Sequence, residues 1–166
     1  MRVRTYVLIA SVAMVIMSSG SKEAKPTVGL NPGDLAPRIK SLENDEDLRF
    51  QNHSGHYTLL NFWAAYDAES RARNVRLMNE INKSGSEKLR VRSISLDENQ
   101  AVFTETVKTD KLDHSTQFLE EQGRESVVYK EYRLHKGFTN YLINDKGVIV
   151  AYDLTPEKLA ETLDRI

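Results

Sequence analysis

Apolar positions along the chain follow two rhythms. Tyr57 to Trp63 (Tyr-Thr-Leu-Leu-Asn-Phe-Trp) is nearly continuous in apolar character, which suits a strand covered on both faces in the middle of a sheet. The stretch after it places Ala72, Val75, Met78 and Ile81 at steps of three, an apolar stripe that predicts a helix. Arg71, Arg73 and Arg76 fall largely off that stripe, and Ser84-Gly85-Ser86 supplies the stop. Leu89 to Leu96 alternates and predicts a second strand. Strand, helix, strand is a βαβ unit, whose two strands are parallel.

Weaker signals surround this unit. Ile39–Leu42 and Leu48–Phe50 are short apolar pieces on either side of an acidic turn, a hairpin pattern. Asp97-Glu98-Asn99 offers caps for a helix over Ala101–Lys108 bearing Val102, Phe103 and Val107. His114–Leu119 reads as a short strand or extended segment, and Ser126–Tyr132 as a short helix. Tyr141 to Val150 holds two apolar strands around Asn144-Asp145-Lys146-Gly147, a hairpin. Thr155-Pro156-Glu157 combines an N-cap, a proline at the first helical position and an acid in the first turn, followed by Leu159, Ala160 and Leu163.

Composition narrows the chemistry. The 166 residues carry a net charge of -1, with 40% hydrophobic and 28% charged residues, ordinary for a globular domain. No basic run or zinc-finger spacing is present, so nothing points to a nucleic acid partner. The chain has no cysteine, which excludes disulfides, thiolate metal sites and cysteine nucleophiles within it. The acidic cluster at residues 43–47 lacks the spacing and glycine of a calcium loop. His53 and His56 sit in a Ser-Gly turn without a third ligand nearby, so no metal or other cofactor is expected.

The N-terminus carries the compartment signal. Met1-Arg2-Val3-Arg4 is basic, Tyr6–Met17 is uncharged and apolar, and Ser18 to Ser21 are small. This is the pattern of a secretory signal, with cleavage before Ser21. An uncleaved anchor, tethering the protein to a membrane through residues 6–17, is the alternative. The expected organisation is therefore a signal peptide or anchor over 1–20, a linker over 21–32 and one domain over 33–166, exported to the periplasm or cell envelope.

Three motifs in order, Gly33-Asp34-Leu35-Ala36-Pro37, Asn61-Phe62-Trp63-Ala64 and the Leu142-Ile143-Asn144 hairpin, together resemble the thioredoxin-like superfamily in its TlpA/ResA-like redoxin branch. The resemblance implies an α/β thioredoxin-like fold: a central mixed sheet flanked by helices, with an N-terminal β-hairpin extension. It also implies thiol–disulfide chemistry at a Cys-x-x-Cys pair, whose positions fall on Asp67 and Ser70. Phe138, after Gly137, falls where the family places a cis-proline, and no proline occurs between Pro37 and Pro156. Asn61 lies where TlpA/ResA-type relatives often carry Asn. Arg71 matches a commonly basic position.

The resemblance thus implies the scaffold of a redox enzyme with both halves of its redox site replaced. Asp67 reads as the N-cap of the helix, accepting from the amide of Glu69 or Ser70. The expected role is recognition: a redox-inactive module binding an envelope protein or peptide in a groove drawn from Trp63, Tyr66, Asp67, Glu69, Arg71, Gly137 and Phe138, or a structural part of an envelope assembly. Trp63 is expected to pack inside and Tyr66 to be exposed. Two alternatives remain: an enzyme of another class using Asp67 and Glu69 as acid/base groups, and a redoxin for which oxidoreductase activity follows from family resemblance only.

Overall fold

The computed structural model describes residues 25–42, 46–48, 50–51 and 53–165. The expected signal peptide or anchor over 1–20, with its apolar run at 6–17, and the centre of the acidic turn fall outside these. Strands β1 (Ile39–Leu42) and β2 (Glu46–Leu48) form an antiparallel hairpin apart from the main sheet. The main sheet has five strands in the order β5 (Gln117–Leu119), β4 (Leu89–Ser95), β3 (Tyr57–Trp63), β6 (Asn140–Ile143), β7 (Ile149–Tyr152). The β3–β4 and β4–β5 pairs are parallel, and β3–β6 and β6–β7 antiparallel. The mixed, thioredoxin-like sheet expected from the motifs is therefore present.

The alternation of side chains along β3 divides the core. Leu60 and Phe62 join Ile39, Ile94, Tyr132, Tyr141 and Ile149 on one face. Leu59 packs on the other face with Leu77 and Met78 of α1 (Ala68–Ser84) and Leu159 and Leu163 of α4 (Pro156–Leu163). Trp63 continues that side in a smaller cluster with Leu119 and with Phe103 and Val107 of α2 (Gln100–Thr109). The short helix α3 (Val127–Glu131) follows Ser126, whose hydroxyl caps it by accepting from Tyr129 N–H.

Helix α1 buries a different stripe from the one read off the sequence. Ser70, Asn74, Leu77 and Met78 are its buried residues; Ala72 is exposed, and Val75 and Ile81 are half-buried. Steps of three drift around a helix of 3.6 residues per turn, whereas alternating steps of four and three keep one face. Two polar residues belong to that face because they meet a polar network. Asn74 Oδ1 accepts from Asn61 Nδ2 (3.0 Å) and Ser93 Oγ (2.7 Å), and its Nδ2 donates to Gln117 Oε1 (3.1 Å). The apolar pattern is thus interrupted where α1 crosses β3, β4 and β5.

The Gly33–Pro37 motif lies along the outer edge of β7. Gly33 N–H donates to the Ile149 carbonyl (2.8 Å), Ile149 N–H to the Asp34 carbonyl (2.9 Å) and Ala36 N–H to the Gly147 carbonyl (3.0 Å). Gly33 has φ of 95°, a conformation that favours glycine. Tyr132 Oη donates to the Pro37 carbonyl at 2.6 Å, closing the strap over the core. Residues Thr27 to Leu30, read from their aperiodic sequence as linker, are tied in as well. Leu35 N–H donates to the Thr27 carbonyl and Gly29 N–H to the Leu35 carbonyl, and Leu30 packs on the core. The pairing is through backbone, which hydrophobic periodicity does not register.

Candidate functional site

The parallel strands β3 and β4 end side by side, and the chain turns from β3 directly into α1. Four short-range bonds build this turn. Asp67 has extended φ/ψ and its Oδ1 accepts from Ser70 N–H at 2.8 Å, the expected N-cap. Asp67 N–H donates to the Ala64 carbonyl at 3.1 Å. Ser70 Oγ donates to the Asp67 carbonyl (3.2 Å) and accepts from Ala64 N–H (3.3 Å). Ser70 is buried with its hydroxyl occupied in both directions, so it is a lock on the turn and not an available nucleophile. Glu69 is exposed in the first turn and meets Arg73 at 3.7 Å.

Asp97 anchors the turn from the other side. This buried carboxylate, just beyond β4, accepts from Ala65 N–H at 2.9 and 3.1 Å and from Ser95 Oγ at 2.6 Å. Arg71 reaches across to α2, where its Nε and Nη2 donate to the two oxygens of Asp110 at 2.7 Å each. This bidentate pair raises the guanidinium pKa, chiefly through the hydrogen bond. Arg71 therefore staples α1 to the end of α2 while lining one edge of the site.

The groove expected from sequence is two clefts. Asp67, Glu69, Gly137 and Phe138 line one of about 660 Å³, together with Tyr152 and Asp153. Tyr66 and Arg71 line another of about 690 Å³, with Asp97, Val102 and Arg124. Tyr66 and Phe138, their ring centroids 6.3 Å apart, stand between the two. Tyr66 is 53% exposed, and the Arg124 guanidinium lies 5.4 Å from its ring centroid, within cation–π range. Trp63, included among the groove candidates, lines neither cleft. It is fully buried beside Phe103, because the strand's alternation turns it toward α2.

No peptide bond among the described residues is cis, so Phe138 follows Gly137 through a trans bond. Phe62 N–H donates to the Thr139 carbonyl at 3.0 Å, holding the 137–139 segment against the end of β3. Among the described residues no group of three His, Asp or Glu is placed to hold a metal. Sequence reasoning missed Asp97, Asp110 and Arg124. An acid immediately after a buried parallel strand is a signal for Asp97, since sites in α/β sheets gather at the carboxyl ends of such strands; the other two carry no local signal.

No family profile matches the chain, and no curated protein matches it. Solved structures do. A thioredoxin-like protein from Parabacteroides distasonis ATCC 8503 is 63% identical, with a TM-score of 0.75, and the match covers 82% of this chain and 96% of that one. A thiol-disulfide oxidoreductase from Bacteroides fragilis NCTC 9343 is 30% identical, with a TM-score of 0.63, over 80% of this chain and 98% of that one. The thioredoxin domain of a thiol-disulfide oxidoreductase from Bacteroides vulgatus, 22% identical with a TM-score of 0.68 over 82% and 98% of the two chains, shares the fold. With the three sequence motifs, the five-stranded mixed sheet and these relatives in place, the chain belongs to the thioredoxin-like superfamily, in the TlpA/ResA-like branch of thiol-disulfide oxidoreductases, and has no cysteine with which to form that branch's Cys-x-x-Cys pair.

Proposed function

We propose that this protein is a redox-inactive thioredoxin-like module of the cell envelope that binds an extended polypeptide across Tyr66 and Phe138. The observation that carries the reading is the state of the two lost cysteine positions. Asp67 Oδ1 and the Ser70 hydroxyl are both spent on the helix start, and neither residue can exchange with a disulfide. What the site offers instead is the exposed Tyr66 ring beside the half-buried Phe138, with a cleft on either side. Exposed aromatics flanked by polar groups supply contact area at little entropic cost, the usual anchor of a recognition surface. The basic start and uncharged run at the N-terminus support export.

Two measurements test the reading. Purified protein incubated with a disulfide substrate and reductant is expected to give no turnover above buffer; clear turnover overturns the redox-inactive reading. A photo-crosslinking side chain at position 66 is expected to give a discrete polypeptide adduct in cells, lost with Phe138→Ala. The same group at exposed Glu87 is expected to give none. Identical adducts from both positions overturn the groove.

A further inference from the structure

A third cleft, of about 930 Å³, lies between the Thr27–Lys40 arm and the Glu120–Arg133 segment. Among its lining groups is Glu120, which is only 8% exposed. Its carboxyl is held by one long bond, Gln122 N–H to Oε1 at 3.3 Å, and no cation pairs with it among the described residues. Burial raises its pKa, the Gln122 bond opposing and Glu121 adding to the shift. A carboxylate taken from water is costly unless paired. Here the place of a partner is taken by an open cleft.

The rest of the lining gives no competing focus. Arg38, Lys40, Glu131 and Arg133 are exposed, where charge is screened by water. Asp34 is occupied by Asn31, which donates to Oδ2 from its backbone (2.9 Å) and its side-chain nitrogen (3.2 Å). Glu120 is thus the one charged lining group that is both buried and short of partners, and a charge meeting it acts in a low dielectric. Val28 and Val127, 70% and 63% exposed, line the same cleft and offer apolar surface.

We infer that this cleft is a subsite for a lysine or arginine side chain of a polypeptide, the cationic head pairing with Glu120 and the methylene stem lying along Val28 and Val127. That the cation is carried on a polypeptide rests on the function proposed above. The cleft shares Leu30, Asn31 and Arg133 with the one lined by Phe138, so a single extended chain can occupy both.

The test is a titration of the full-length ¹⁵N-labelled protein with a capped peptide, Ala-Val-Lys-Val-Ala, and with the same peptide carrying norleucine or Glu in place of Lys. The Lys peptide is expected to shift the amides of Gln122, Val127 and Val128 and to bind at least about tenfold more tightly than the norleucine peptide. Glu120→Gln, isosteric and neutral, is expected to keep the fold and erase that difference. Equal binding of the Lys and norleucine peptides, preference for the Glu peptide, an unchanged preference in Glu120→Gln, or no shift with any peptide overturns the subsite. Shifts at Gln122 and Val127 without shifts at Gly137 and Phe138 support the subsite and overturn the groove reading; the reverse pattern does the opposite.

Discussion

Asp67 Oδ1 accepts the backbone N–H of Ser70 at 2.8 Å, so the two positions that align with the redox cysteines of the family are joined by a hydrogen bond. The bond caps the start of α1. Asp67→Ala is expected to cost about 1 kcal/mol of stability, read as a fall of about 3 °C in Tm. Asp67→Asn retains the acceptor oxygen and is expected to lose much less. Equal losses in the two variants would show that the cap is not the source of the effect.

The helix start keeps its field although the sulfur is absent. In Asp67→Cys/Ser70→Cys, the thiol introduced at position 67 is expected to titrate below the ordinary value of about 8.5, because free amides and the helix dipole favour the thiolate. Thiolate absorbance against pH measures it. A value at or above the ordinary one sinks the idea that this end of α1 still favours an anion.

Asn74 lies at the centre of the buried amide network, bonded to Asn61, Ser93 and Gln117. Asn74→Ala leaves three polar partners short of a bond inside the core. Its expected cost is about 3 kcal/mol by denaturant unfolding. Asn74→Leu should be no better tolerated, since shape without polarity leaves the same groups unmatched.

Glu120 gives the fold a pH signature. Its folded pKa lies above that of an unfolded glutamate, with burial the main cause. From the unfolded value of about 4.3 up through the folded one, the native state holds more protons than the unfolded state. The contribution of Glu120 to stability therefore falls as pH rises across that window. Glu120→Gln is expected to be more stable than wild type at neutral pH and to approach it in acid, measured by urea unfolding at several pH values.

The fold was legible where pattern and motif agreed. Tyr57–Trp63 is buried along almost its whole length, and the turn at Asn144–Gly147 closes β6 onto β7. Less legible was anything settled by groups far apart in the chain. Arg71 and Asp110 are 39 positions apart, and their bidentate pairing leaves no trace in local spacing. The same holds for Arg124 over Tyr66. Trp63 illustrates a different limit. A strand's alternation states that neighbours face opposite ways, but only the position of α2 shows that its side is covered. Glu120, beside Glu121 and Gln122, reads as one of a solvated run; its burial depends on how the segment is folded back after β5.

The strap from Gly33 to Pro37 has a consequence for association between copies. Its bonds to Ile149 at the start of β7, and to Gly147 just before it, occupy backbone groups that would otherwise be open, and Tyr132 clamps the strap at Pro37. An open strand edge is a template for a neighbouring chain. Here the start of that edge, at Ile149, is covered from within the same molecule, at the cost of fixing a glycine in a left-handed conformation. Tyr132→Phe removes the clamp while leaving the aromatic packing, so the variant's first symptom on warming should be aggregation through the uncovered edge, before the sheet itself unfolds.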